Sequence, residues 1–591
     1  MKLNNKKGQE KVVGFLRQAQ IITTYGSGSI AELPDDSVVL AGLDYWKNKD
    51  NENYFIREEN LENILGMDYF IKPKVEKKTL SNRFYKSRDI PSFRFPELFI
   101  CGNSKCQKIY NYKDCGGFKI NCPYCGSEKK KVSRFIVVCE NGHMEDFPYS
   151  WWLHRGNLQS CENPEKIRFF YNKETGGLDN IVLMCESCKK TRTMSGSFTK
   201  DSLRGYKCKG HRPWLNDCEE SDCIKIMQTL QRGSNAVYFG VHQSALSIPP
   251  WSSKINVELN KIWPTIKRFD LKNSDIIKIL FDNPKSLETF NCSIKDLQEQ
   301  ILKKLDKSSS INNKQYHIIE DEYKAFINGN KNDENFKTVE ENVNTFLSAF
   351  ISRVILVYRL REVMVLKGFS RIRPVEDERA SGFVKLGRSF TNWLPAIELN
   401  GEGIFIELDP LKIKEWEKQD LVKLRYNILA SNMANSFYKI KKFSPRYILL
   451  HTLAHIFIRQ LSITCGYSAA SIKERIYSTF DTADAKEMSG FLIYTATPDS
   501  EGSLGGLVDK GKKEILENIF RSMIQESTWC ASDPLCIQLK GQGMNNLNLA
   551  ACHSCTLLPE TSCETRNCFL DRGAIIGTLD NKEIGFFSSL L

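Results

Sequence analysis

The sequence predicts a multidomain α+β protein with zinc-ribbon-like modules in its N-terminal half, a helical insertion, and a mixed α/β C-terminal domain that carries a zinc site. Its 591 residues exceed what one hydrophobic core organises, so several domains are expected. Its 20 cysteines gather in two blocks, Cys101 to Cys223 and Cys530 to Cys568, with Cys292 and Cys465 alone between them. Between the blocks, a polar stretch of helical spacing gives way to alternating strand-like and helix-like runs. With 41% hydrophobic and 26% charged residues, the composition is that of a globular chain.

Residues 1–98 read as a strand-and-turn region: Ile21-Ile22, a turn from Thr24 to Ser29, and an apolar stretch from Ser37 to Leu43. Residues 99–251 hold the first cysteine block, rich in glycine, aromatic and turn residues, and close on Pro249-Pro250. Residues 252–345 are rich in Lys, Asp, Asn, Glu and Leu at helical spacing, with a polar loop at Asn328 to Asn335. From 346 to 591, apolar runs between Phe346 and Val365 enclose Arg353, Arg359 and Arg361, and Gly403 to Leu408 reads as a strand. Helices are expected from Leu411 to about Glu474, a strand at Phe491 to Thr495, and a helix from about Lys512 to Gln525.

A net charge of +12 fits contact with nucleic acid without demanding it. The N-terminal twenty residues lack the apolar core of a secretory signal, and no window reads as eighteen uncharged apolar residues, so a cytoplasmic protein without a membrane span is expected. In that reducing compartment, clustered Cys-x-x-Cys pairs read as metal ligands more readily than as disulfides.

Cys101 and Cys106, with Cys122 and Cys125, form two short knuckles that could present four thiolates to a structural zinc, leaving Cys115 as a spectator. Gly102, Gly116, Gly117 and Gly126 would supply the left-handed backbone such knuckles use. Cys139, His143, Cys185 and Cys188 supply further ligands, and Cys208 and Cys218 are expected to join Cys185 and Cys188. Cys161, His211 and Cys223 are spare donors. Near the C-terminus Cys552 and Cys555 anchor a site completed first by Cys536 and Cys563, with Cys530 and Cys568 competing. Two to four structural Zn2+ ions per chain are expected, because each set offers four donors and no open position for water.

Candidate chemistry is thinner. His451 and His455 stand at i and i+4 in a helical run, a metal-ligand spacing, but Thr452 occupies the position where zinc proteases carry their glutamate base. With Glu474 they are the basis of an alternative reading, a metal-dependent hydrolase or nuclease. Gly506 to Lys513 matches a phosphate loop until Lys513 replaces the magnesium-binding hydroxyl, and Asp321-Glu322-Tyr323-Lys324 lies in the polar helical stretch. Glu501 to Gly506 reads as a turn. Basic residues interleaved with aromatics, Arg192, Arg204, Lys207, Arg212, Trp214 and Arg232, are the DNA-binding candidates. A purely architectural zinc scaffold is the remaining alternative.

Several stretches together carry a resemblance: Arg17 with Tyr25-Gly26-Ser27-Gly28 and Leu43-Asp44-Tyr45-Trp46, Cys139 to Pro148, Arg212-Pro213-Trp214-Leu215, Gln231 to Asn235, and Cys552 to Arg572. They resemble the DrmB family, helicase-associated proteins of DISARM anti-phage defence. The part from about His451 to Cys568 is similar to the zinc-binding domain of MrfA-type helicases, and the helical insertion lies outside the resemblance. The resemblance implies a non-catalytic subunit that binds a superfamily-2, DrmA-like helicase and DNA with a single-stranded portion. ATP hydrolysis would then belong to the partner.

Overall fold

The computed structural model describes residues 13–591 except 34–35, 48–50, 75–89, 116–119, 172–176, 220–221, 267, 282–289, 291, 308–313, 332, 334, 376, 437, 441–442, 480–486 and 497–505. Of the turn expected at Glu501 to Gly506, residues 501–505 lie outside the described residues, as do Gly116 and Gly117. The architecture is mixed α+β, with several small antiparallel sheets, one large sheet and many helices. Its elements group into two compact units, one of residues 1–56, 69–243 and 365–397, the other of 57–68, 244–364 and 398–591. Residues 57–68 and 244–251 of the two expected N-terminal segments fall in the second unit, and residues 365–397 of the expected C-terminal segment fall in the first.

The first unit is assembled from short antiparallel strands joined by tight turns. Leu98–Cys101 pairs with both Ile109–Asn111 and Lys130–Val132, while Phe135–Val138 pairs with both Met144–Asp146 and Gln228–Gln231. Ile167–Tyr171, Ile181–Cys185 and Thr191–Thr193 form a third such sheet. Strands this short bury little by themselves. Their core is a nest of edge-to-face aromatics, Phe135, Phe147, Tyr149, Trp152 and Phe169, which concentrates apolar area in few residues. The segment expected as strand and turn begins with one helical turn, Gln20–Thr23, before the strands Ile30–Glu32 and Ser37–Leu40. Arg371 is 1% exposed and donates to the carbonyls of Gly142 (2.8 Å), Val237 (2.5 Å) and Gly28 (2.9 Å), which tie three distant turns to one cation.

In the second unit, Lys254–Ile266, Ser274–Phe281, Ile294–Lys307 and Lys314–Asn328 form the helical stretch, the first three around Leu259, Ile277, Phe281 and Leu297. The apolar run with embedded arginines is a strand, Ile351–Ser370, in which the period of two turns Arg361 towards Glu58 and Glu398. The large sheet continues through Trp393–Leu408 and Ser489–Thr495 to Ile472–Ser478. Glu474 therefore sits on a strand. The helical run expected to reach it stops at Cys465, where Gly466 takes φ 71° as a left-handed C-cap.

The core helix Pro445–Cys465 starts on Ser444, whose hydroxyl accepts the Tyr447 amide at 3.1 Å, and Pro445 fills a position where no amide is needed. It is long and apolar enough to cross a bilayer by composition, with mean hydropathy 1.3, yet 72% of that window is buried against the sheet and the helix Lys513–Ser527. The lookalike phosphate loop is a short helix, Gly506–Lys510, running into Lys513–Ser527, and Gly511 packs on Leu356 and Ile404 instead of opening a phosphate cradle.

Candidate metal centres

Among the described residues, five groups of four side chains converge so that their donor atoms lie within 4.8 Å of one another. A tetrahedral zinc with bonds of about 2.3 Å to sulfur sets its thiolates roughly 3.8 Å apart, which gives a test of fit.

In the first group, Cys101 ends a strand, Cys106 sits on the following turn, and Cys122 and Cys125 occupy a second knuckle closed by Gly126 at φ 72°. Sγ of Cys101 is 3.6 Å from that of Cys125, and Sγ of Cys106 is 3.7 Å from that of Cys122. These separations match a tetrahedral edge and exclude an S–S bond. Cys115 stays outside, directed at the Asn111 carbonyl. Burial pushes the Cys101 thiol up to about 12, so an ion bound here must displace protons from thiols that would otherwise hold them.

The second group joins Cys139 and His143, on either side of the turn at Gly142, to Cys208 and Cys223. His143 Nδ1 lies 3.4 Å from both Cys139 and Cys208, while its Nε2 meets Glu219 at 2.7 Å. A carboxylate on the outer nitrogen fixes the imidazole so that the inner one faces the ion. Burial works against charge on His143, yet the Cys139 and Glu219 contacts raise it to about 9.

The third group is His154, Cys161, Cys185 and Cys188. Cys161 and Cys185 are 3.6 Å apart, and His154 Nε2 is 3.4 Å from Cys188, with Nδ1 2.8 Å from the Ser150 carbonyl of the preceding helical turn. Cys208 and Cys218 do not join Cys185 and Cys188. Cys208 belongs with Cys139, and Cys218 is exposed on the strand Asp217–Cys218, whose partner across the ladder is His211.

The fourth group is Cys530, Cys536, Cys552 and Cys555, with Cys552 3.5 Å from Cys530 and 3.7 Å from Cys555. Arg572, buried, holds Asp533 at 2.7 Å, and Asp533 accepts the Cys530 amide at 3.0 Å, so a salt bridge braces the first knuckle. The hydrogen bond from Cys536 draws the Cys555 thiol down to about 5. Cys563, expected in this set, lies instead 3.2 Å from Nε2 of His451. Cys568 is buried outside all five groups.

The DNA-binding candidates divide by burial. Arg204 and Lys207 are exposed. Trp214 is 1% exposed, packed edge-on to Phe369, and offers no face to a base. Arg192 lies over the Trp152 ring and donates to the Trp152 carbonyl, Arg212 pairs with Asp217, and Arg232 pairs with Glu32 at 2.7 Å. A larger feature is a cleft of about 920 Å3 in which Lys129, Lys130, Lys131, Arg134 and Arg232 outnumber the carboxylates Glu32, Asp36 and Glu128 that also line it. The lysine run was its visible signal in the sequence.

The fold and these centres define a multidomain protein stabilised by several structural zinc sites. Residues 453–556, which contain the fourth group, match the MrfA Zn-binding domain, and residues 17–239 match a domain of unknown function, DUF8724. The DISARM protein DrmB of Bacillus paralicheniformis is 34% identical, over 94% of this chain and 99% of its own length. The chain belongs to the DrmB family, as the resemblance implied.

Proposed function

We propose that this protein is a non-catalytic, zinc-stabilised subunit of a cytoplasmic DISARM system that binds a superfamily-2 helicase and, with it, DNA carrying a single-stranded portion. The observation that carries the reading is the match to a DISARM protein along nearly the whole of both chains. The cleft at Lys129, Lys130, Lys131 and Arg134 supports DNA contact, since adjacent cations along an open groove suit a phosphate backbone. Arg204 and Lys207 extend the accessible positive charge.

Gly506 to Lys513 has neither the magnesium hydroxyl nor the shape of a phosphate loop, which supports a reading in which the helicase hydrolyses ATP. Hydrolysis through His451 and His455 would require an open coordination position and a route for substrate, whereas both imidazoles are 0% exposed.

Replacing Lys129, Lys130 and Lys131 with alanine, in the complex with the helicase, is expected to weaken DNA binding about tenfold in anisotropy titrations and to flatten the salt dependence by two to three units of slope. Unchanged affinity and slope would favour the architectural reading.

A further inference from the structure

The fifth convergent group lies apart from the cysteine tetrads and uses a different donor set. His451 and His455 come from the core helix, Glu474 from the strand Ile472–Ser478, and Cys563 from the C-terminal loop. Their exposures are 0%, 0%, 2% and 8%. Glu474 Oε1 is 2.9 Å from His451 Nε2 and 3.4 Å from His455 Nε2, and Cys563 Sγ is 3.2 Å from His451 Nε2.

Three features point inward to an ion. Nδ1 of His455 is 3.0 Å from the Thr556 carbonyl and Nδ1 of His451 is 3.4 Å from that of Phe569, so each Nδ1–H donates outward and each Nε2 lone pair faces the centre. Cys563 Sγ accepts the amides of Thr565 (3.4 Å) and Asn567 (3.2 Å), the pattern of a thiolate in a metal knuckle. Oε2 of Glu474 is buried with no hydrogen-bond partner, and Nε2 of His455 has none beyond its 3.4 Å approach to Glu474 Oε1. An imidazole lone pair set against a carboxylate, with one carboxylate oxygen unpaired, is costly in a buried site unless something electropositive lies between them.

We propose that His451, His455, Glu474 and Cys563 bind a further divalent transition ion of the zinc class, which fastens the C-terminal loop and the sheet to the core helix. One carboxylate and one thiolate neutralise the ion's two positive charges, so the assembly can be buried without net charge. Four protein donors complete a tetrahedron, which makes the centre structural and not hydrolytic. A carboxylate oxygen and a second imidazole set it apart from the other four groups, and its deeper burial makes it the slowest site to exchange.

Metal content of the full chain, measured by plasma mass spectrometry, is expected to be five ions, falling to four in Cys563→Ser and in Glu474→Gln while the other four remain. Anomalous diffraction at the zinc edge from wild-type crystals supplies the readout should either variant fail to fold, with a peak expected among these four side chains. A count that stays the same in both folded variants, or no peak at this position, would overturn the proposal in favour of a protonated polar core.

Discussion

At the scale of single residues, ligand identity depends on which side chain a knuckle finds across space. The pairs Cys122/Cys125, Cys185/Cys188 and Cys552/Cys555 were legible because two thiolates three residues apart share one tight turn. His154 was not, because it ends a helix 31 residues before Cys185, and no local spacing connects them. Trp214 misled for a related reason. Among basic residues an aromatic reads as a stacking surface, but Arg371 and Phe369, more than 150 residues away in sequence, enclose it. The pairing is checkable by substitution. His154→Ala is expected to lower the zinc content by one ion per chain, whereas Cys218→Ser, on its exposed strand, is expected to leave zinc content and stability unchanged.

At the scale of elements, the strands Gly403 to Leu408 and Phe491 to Thr495 were legible from dense β-branched and aromatic runs, and the helix near Lys512 from its apolar periodicity. The end of the core helix was not. Tyr447 to Leu461 is mostly apolar and buried on nearly every face, so its pattern carries the helix onward, and the stop comes from Gly466 adopting φ 71°. That stop matters for the site, since it allows the chain to reverse and place Glu474 on a strand beside the two histidines. Gly466 has open space around its Cβ position, so Gly466→Ala tests the backbone alone. The substitution is expected to destabilise the protein by about 1 kcal/mol in chemical denaturation, with zinc content unchanged.

At the scale of the whole molecule, the fold class was legible and the grouping of segments was not. Residues 57–68 join the unit that contains 244–364 and 398–591. Buried contacts at long sequence separation hold them there: Lys304 Nζ donates to Glu59 at 2.5 Å, Asn256 donates to Glu59 at 2.8 Å, and Ser247 donates to Glu58 at 2.5 Å. A sequence read in order divides at Pro249-Pro250, because composition changes there, whereas the folded chain divides by which surfaces bury one another. The metal centres follow the same logic. Loop-rich sheets of three- to five-residue strands bury little apolar area by themselves, and bound zinc would add to their folding free energy.

In the proposed function the chain is a zinc-fastened DISARM subunit whose motor lies in its helicase partner. The most direct test is DNA-stimulated ATP hydrolysis and DNA affinity, measured for the purified zinc-loaded chain, for a DrmA-like helicase, and for the two together. The expected result is no ATP hydrolysis by this chain alone, hydrolysis by the helicase, and tighter DNA binding by the complex than by the helicase. Hydrolysis by this chain alone, or a helicase whose DNA affinity is the same with and without it, would contradict the claim.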